Sequence, residues 1–148
     1  MKSCFFIGHR EAPDSIRPVL ERAIEFHITE FGIKHFCVGN YGRFDRLTQS
    51  ALAQAKFNHP DITIQMLLPY HPSEHKIDVP LTFDGSFYPP GMETVPYHAA
   101  ITRANRYMAD TSDYIIAYVW HTASNAWSVL EYARKRGAHI ENLAKESK

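Results

Sequence analysis

A chain of 148 residues suits one domain with a core of its own and is short for two. Its 16 basic residues balance 16 acidic ones, so the whole-chain field offers no general attraction to nucleic acid or to an anionic membrane, and any anion site has to be local. The longest apolar runs have strand length, far below the roughly 20 residues of a membrane helix, and the N-terminal stretch lacks a signal region with a small-residue cleavage site, so a soluble, cytoplasmic protein is expected.

The run Cys4-Phe5-Phe6-Ile7 stops abruptly at Gly8-His9-Arg10. It reads as a parallel strand covered on both faces, with Gly8 letting the chain pass close to a ligand and His9 and Arg10 standing at the edge of the sheet. Pro13-Asp14-Ser15 announces a helix capped by Asp or Ser, whose apolar stripe includes Ile16, Leu20, Ile24 and Ile28 and which ends at Gly32. A second short strand, His35 to Val38, runs into Gly39-Asn40-Tyr41-Gly42-Arg43-Phe44-Asp45, where two glycines let backbone N–H groups turn toward a ligand. Asp45 is a candidate cap for the helix carrying Leu47, Ala51, Leu52 and Ala55. Thr63 to Leu68 is a third strand, stopped by Pro69. Cys4 and Cys37 sit in apolar runs, outside any metal or redox spacing, and read as reduced, buried thiols, with a pair between neighbouring strands as the alternative.

Six of the nine prolines fall from Pro69 to Pro96, with little periodicity of either kind. A connection of this length reads as a lid, and its aromatics Phe83, Phe87, Tyr88 and Tyr97 argue for packing, on this chain or between copies of it. His71 and His75 lack a carboxylate or Cys at firm spacing, so no metal is expected, and no cofactor. Ala99 to Met108 forms a helix with Ile101, Ala104 and Met108 on one face, while Arg103 and Arg106, three residues apart, suggest an anion. Tyr114 to Val119 is the clearest buried strand. His121-Thr122-Ala123-Ser124-Asn125 leads from it into a last helix with Ala126, Val129, Leu130 and Ala133, capped by Ser124 or Asn125 and closed by Arg134-Lys135-Arg136-Gly137. A fifth strand, Ala138 to Leu143, precedes a charged tail.

Strands and helices alternate, which predicts an α/β fold: an open parallel five-stranded sheet with helices on both faces, three layers in all. Ligands in such sheets bind beyond the carboxyl ends of the strands where strand order reverses. If the first strand and the Tyr114 strand flank that point, Gly8-His9-Arg10 faces Thr122-Ala123-Ser124-Asn125, with Gly39-Asn40-Tyr41-Gly42 alongside. A phosphate-bearing, nucleotide-sized ligand fits such a crevice. The dinucleotide Gly-x-Gly-x-x-Gly and the Walker-type loop are both absent.

These pieces, with Phe83-Asp84-Gly85, Arg103-Ala104-Asn105-Arg106-Tyr107-Met108, Ser112-Asp113-Tyr114 and Leu130-Glu131-Tyr132-Ala133, resemble the YpsA-like branch of the SLOG superfamily, which also holds the DprA proteins and the LOG phosphoribohydrolases. The resemblance covers nearly the whole chain. It implies a Rossmann-like sheet and a site for a nucleotide or nucleotide derivative, with Asp84 and Arg103 among the ligand contacts. In the LOG enzymes a Gly-Gly turn cradles phosphate, while a Glu farther along the last helix, assisted by an upstream Arg, helps cleave an N-glycosidic bond. Glu131 and Arg106 look like those catalytic groups, but Ser124-Asn125 replaces the glycine pair, so binding is expected to survive better than the reaction. Three functions follow: a nucleotide-binding, sensor-like protein, a nucleotide N-glycosidase, and a DprA-like DNA-binding module, the last disfavoured by the balanced charge.

Overall fold

Cys4, Phe5, Phe6 and Ile7 are buried without alternation because helices cover the strand on both sides. That strand, β1 (Ser3–Gly8), is followed along the chain by α1 (Arg17–Thr29), β2 (His35–Val38), α2 (Arg43–Asn58), β3 (Thr63–Leu67), β4 (Gly85–Phe87), α3 (Ala100–Thr111), β5 (Tyr114–Tyr118), α4 (Asn125–Arg136) and β6 (His139–Asn142). The computed structural model describes residues 2–144, so the charged tail beyond Ala144 lies outside the described residues. Cys4 and Phe6 point into a core with Leu20, Ile24, Phe44 and Leu52 of α1 and α2. Phe5 and Ile7 point the other way, into a core with Ala104, Met108, Val129 and Leu130 of α3 and α4.

All neighbouring strands are parallel, and six of them lie in the order β4-β3-β2-β1-β5-β6. The three-layer α/β reading holds, but among the described residues the sheet has six strands, not five. The added one, β4, is the three-residue segment Gly-Ser-Phe, too short to show a period of two. It is fastened by its neighbour Asp84, whose amide donates to the Ile64 carbonyl and whose carboxylate accepts the Ile64 amide, both at 2.8 Å, while the Lys56 ammonium pairs with the same carboxylate. No helix lies between β3 and β4, so the regular alternation of strand and helix breaks there.

Two expected caps differ in the structure. A single 3₁₀ turn, Asp14–Ile16, precedes α1, and neither Asp14 nor Ser15 caps it with a side-chain bond. Asp14 instead accepts from Arg43 Nε at 2.9 Å, tying the turn after β1 to the start of α2. Asp45 lies in the first turn of α2 rather than at its cap, which is Gly42. Cys4 and Cys37 belong to opposite faces of the sheet, so they cannot pair. Burial pushes both thiols up, Cys37 to about 12. Among the described residues no helix is long and apolar enough to cross a membrane.

Candidate functional site

Strand order reverses between β1 and β5, whose Gly8 and Tyr118 are register partners. The crevice expected there therefore lies between the segment following Gly8 and the one following Tyr118. His9 spans it. Its amide donates to the Tyr118 carbonyl at 3.2 Å, and its ring Nε2 accepts from the amides of Trp120 and His121 at 3.0 and 3.1 Å. Accepting at Nε2 requires a neutral ring with its proton on Nδ1, and burial lowers the His9 pKa in the same sense. From the other side, Asn142 of β6 grips the Val119 backbone, accepting its N–H at 3.1 Å and donating to its C=O at 2.7 Å.

The same segment leads into α4. Ser124 caps that helix as the sequence suggests, its Oγ accepting the Trp127 amide at 3.1 Å and donating to the His121 carbonyl at 2.7 Å. Thr122 and Asn125 are exposed on either side of the cap. α4 thus begins at the segment that follows β5, with the Trp127 amide already bound by Ser124 Oγ.

The turn after β2 packs against the turn after β1. The Arg43 amide donates to the Arg10 carbonyl at 2.9 Å, and Gly42, at φ 125°, lies so close that a Cβ there would stand 2.8 Å from Arg10 Cα. Gly8 has a different reason to be glycine, since the Phe44 ring fills the space beside it and a Cβ would meet Phe44 Cγ at 2.4 Å. Gln49 donates from Nε2 to the Gly39 carbonyl at 2.8 Å and to Asn40 Oδ1 at 3.0 Å, and the Asp45 carboxylate accepts the Tyr41 amide at 2.9 Å. Burial pushes Asp45 up to about 7, against the pull of that hydrogen bond and of the nearby Arg10 and Arg46 charges.

Gly8, Gly39, Tyr41 and Asp45 line a small cavity of about 40 Å³, covered by Ile101, Ala104 and Asn105 of α3. It has room for one or two waters and is far below the roughly 300 Å³ of a pocket for a whole nucleotide. A ligand of that size fits only in the open crevice beside it. Over this end of the sheet the long loop brings Tyr70 against Tyr97, stacked at 4.5 Å, with His75 stacked on Tyr70 at 4.6 Å and Tyr41 edge-on at 6.1 Å.

Gly8, His9, Arg10, Gly39, Asn40, Gly42, Asp45, Thr122, Ser124 and Asn125 therefore gather at the carboxyl edge of the sheet. Four other candidates do not. Asp84 sits at the opposite, amino end, beside Ile64. Arg103 and Arg106 lie in a groove of about 470 Å³ on the outer side of α3, with Gly91, Asp110 and Tyr132, where the Arg106 guanidinium stacks 4.1 Å over the Tyr132 ring. Glu131 is on the face of α4 away from buried Val129, Leu130 and Ala133, and pairs with Arg134 at 3.1 Å. His71 orders its own turn through Ser73, and among the described residues no three metal-ligating side chains converge. The sequence reading missed Gln49, Asn142, Trp120 and the Tyr41-Tyr70 pair. An Asn inside an edge strand and a Trp just past the clearest buried strand were the available signals.

No family model matches the chain, and no curated protein sequence does. Among solved structures, the chain is similar to the X-ray structure of DNA processing protein A (DprA) from Streptococcus pneumoniae, with a TM-score of 0.69 at 16% sequence identity. The match covers 95% of this chain and 49% of that one, so the chain spans about half the length of the protein it matches. At that identity the likeness is one of fold alone, and it agrees with the open parallel α/β sheet expected from the sequence.

Proposed function

We propose that the chain binds a nucleotide or nucleotide-derived, phosphate-bearing ligand in the crevice between the ends of β1 and β5, as a sensor-like cytoplasmic protein of the YpsA-like kind. The observation that carries the reading is the meeting of three polar turns at the point of strand reversal: Gly8-His9-Arg10, Gly39 to Gly42, and the capped start of α4. Phosphate would take the free N–H groups of α4 and the exposed Arg10 guanidinium. The test is thermal unfolding with a panel of nucleoside phosphates and NAD-derived nucleotides. A ligand at 100 times its Kd adds about 2.7 kcal/mol, a rise of roughly 5–10 °C for a chain of this size. No shift with any member of the panel sinks the proposal.

The hydrolase alternative requires Glu131 and Arg106 to reach one ribose, and the positions of both groups count against it. A second reading, binding of single-stranded DNA, draws support from the fold shared with a DNA processing protein, while the balance of 16 basic and 16 acidic residues weighs against it. Anisotropy of a labelled strand across a salt series decides it, since strand binding must weaken steeply as salt rises.

A further inference from the structure

Trp120 lies two residues past the end of β5, at the mouth of the crevice, with 53% of its surface exposed. A single exposed apolar side chain is ordinary by itself, and what sets Trp120 apart is how it is held. Its surroundings hold it in place. One face lies offset-stacked on the His121 ring, with centroids 5.3 Å apart and planes at 12°, and the His9 ring meets it edge-on at 5.2 Å. Its own amide and that of His121 are bound by His9 Nε2, and the preceding residue is gripped by Asn142. The flat surface is thus fixed from both flanking strands before any ligand arrives, which keeps the ordering cost of stacking low.

Resting on the nucleotide reading above, we propose that the Trp120 indole, backed by His121, is the platform on which the base of the ligand stacks while its phosphate lies toward α4 and Arg10. The shared chemistry is an aromatic base joined to phosphate, from a free nucleotide or from a single strand. Stacking of this kind tolerates all bases, because each offers a π-face. It also leaves the narrow cavity beside Gly39 free of the base, consistent with its volume of about 40 Å³.

The chain has two tryptophans, so a Trp127→Phe variant leaves Trp120 as the single indole reporter. Titrating it with the four nucleoside 5′-monophosphates, with ribose 5-phosphate and with a ten-residue single-stranded oligodeoxynucleotide separates the contributions. With affinities read by calorimetry and stacking by fluorescence, the expected result is quenching by the monophosphates, none by ribose 5-phosphate, and roughly ten-fold or greater weakening for ribose 5-phosphate. Trp120→Ala brings the monophosphates down to the affinity of ribose 5-phosphate, and Trp120→Phe restores most of the difference. Quenching by the oligomer alone keeps the platform and assigns its base to a strand. Where the oligomer does not quench either, monophosphates that bind no tighter than ribose 5-phosphate overturn the platform and leave the crevice reading standing, as does equal binding of any quenching ligand to Trp120→Ala. Failure of every compound to bind overturns both.

Discussion

His9 illustrates how a polar residue at a strand end can serve the site without touching a ligand. Its neutral ring accepts two amides from across the crevice, each such bond contributing about 0.5–1.5 kcal/mol. Burial sets its folded pKa below the unfolded value near 6.5, with Glu11 opposing and His121 reinforcing the shift. The stability tied to this ring is therefore complete above pH 6.5 and is lost as pH falls through the lowered folded pKa. His9→Ala should cost about 1–2 kcal/mol in urea denaturation at pH 7.5 and clearly less at pH 5, where protonation of the unfolded wild-type ring offsets the contribution. An equal cost at both values removes the ring from that role. Gly8→Ala drives a Cβ to 2.4 Å from the fully buried Phe44 ring, and about 1–3 kcal/mol of overpacking should appear in the same assay. Glu131→Gln, by contrast, breaks an exposed pair with Arg134 and should leave nucleotide affinity within two-fold by calorimetry, on the order of the small worth of surface ion pairs. A loss of ten-fold or more would return Glu131 to the site.

At the scale of elements, the turn between β2 and α2 is built around Asp45, which Gln49 assists and whose carboxylate a Cβ on Gly39 would approach at 2.9 Å. Because burial holds the Asp45 pKa at about 7, the folded chain binds a proton there that the unfolded chain releases near pH 4. Stability from this group consequently falls as pH rises from about 4 to about 7 and stays reduced above that. Asp45→Asn keeps an oxygen for the Tyr41 amide and removes the titration, so its stability relative to wild type should climb across that window, by on the order of 2 kcal/mol for a partly buried group. A flat difference between the two denaturation curves contradicts the assignment. The elements themselves were legible to different degrees. β1, β2 and β5 could be read because burial on both faces writes a nearly unbroken apolar run, β3 because Ile64, Met66 and Leu67 stand just before the stop at Pro69, and Ser124 because a cap needs a short side chain at one place. β4 could not, since its register comes from Asp84 bonding across to Ile64 and not from its own residues. The start of α1 escaped for a similar reason: Asp14 is drawn to Arg43, 29 positions away. The direction of Glu131 depends on which side of α4 meets α3 and the sheet, which a motif match does not encode.

For the whole molecule, the order of strands decides where chemistry can happen. Placing β5 beside β1 brings turns separated by more than a hundred residues into hydrogen-bonding contact, as His9 and His121 show. The sequence reading could name those turns because each is glycine-bearing or polar at the end of an apolar run. It could not rank them, because which candidates share a cleft is a property of topology, and Arg103, Arg106 and Asp84 separate from the rest only in three dimensions. The fold shared with a protein about twice as long fixes this architecture without fixing its ligand. The most direct test of the crevice is to map backbone amide chemical shifts of the labelled chain on addition of a nucleoside monophosphate. Perturbations concentrated at residues 8–10, 39–42 and 120–126 are the predicted result. Perturbations confined to the groove of Arg103, Arg106 and Tyr132, or absent throughout at millimolar nucleotide, would contradict it.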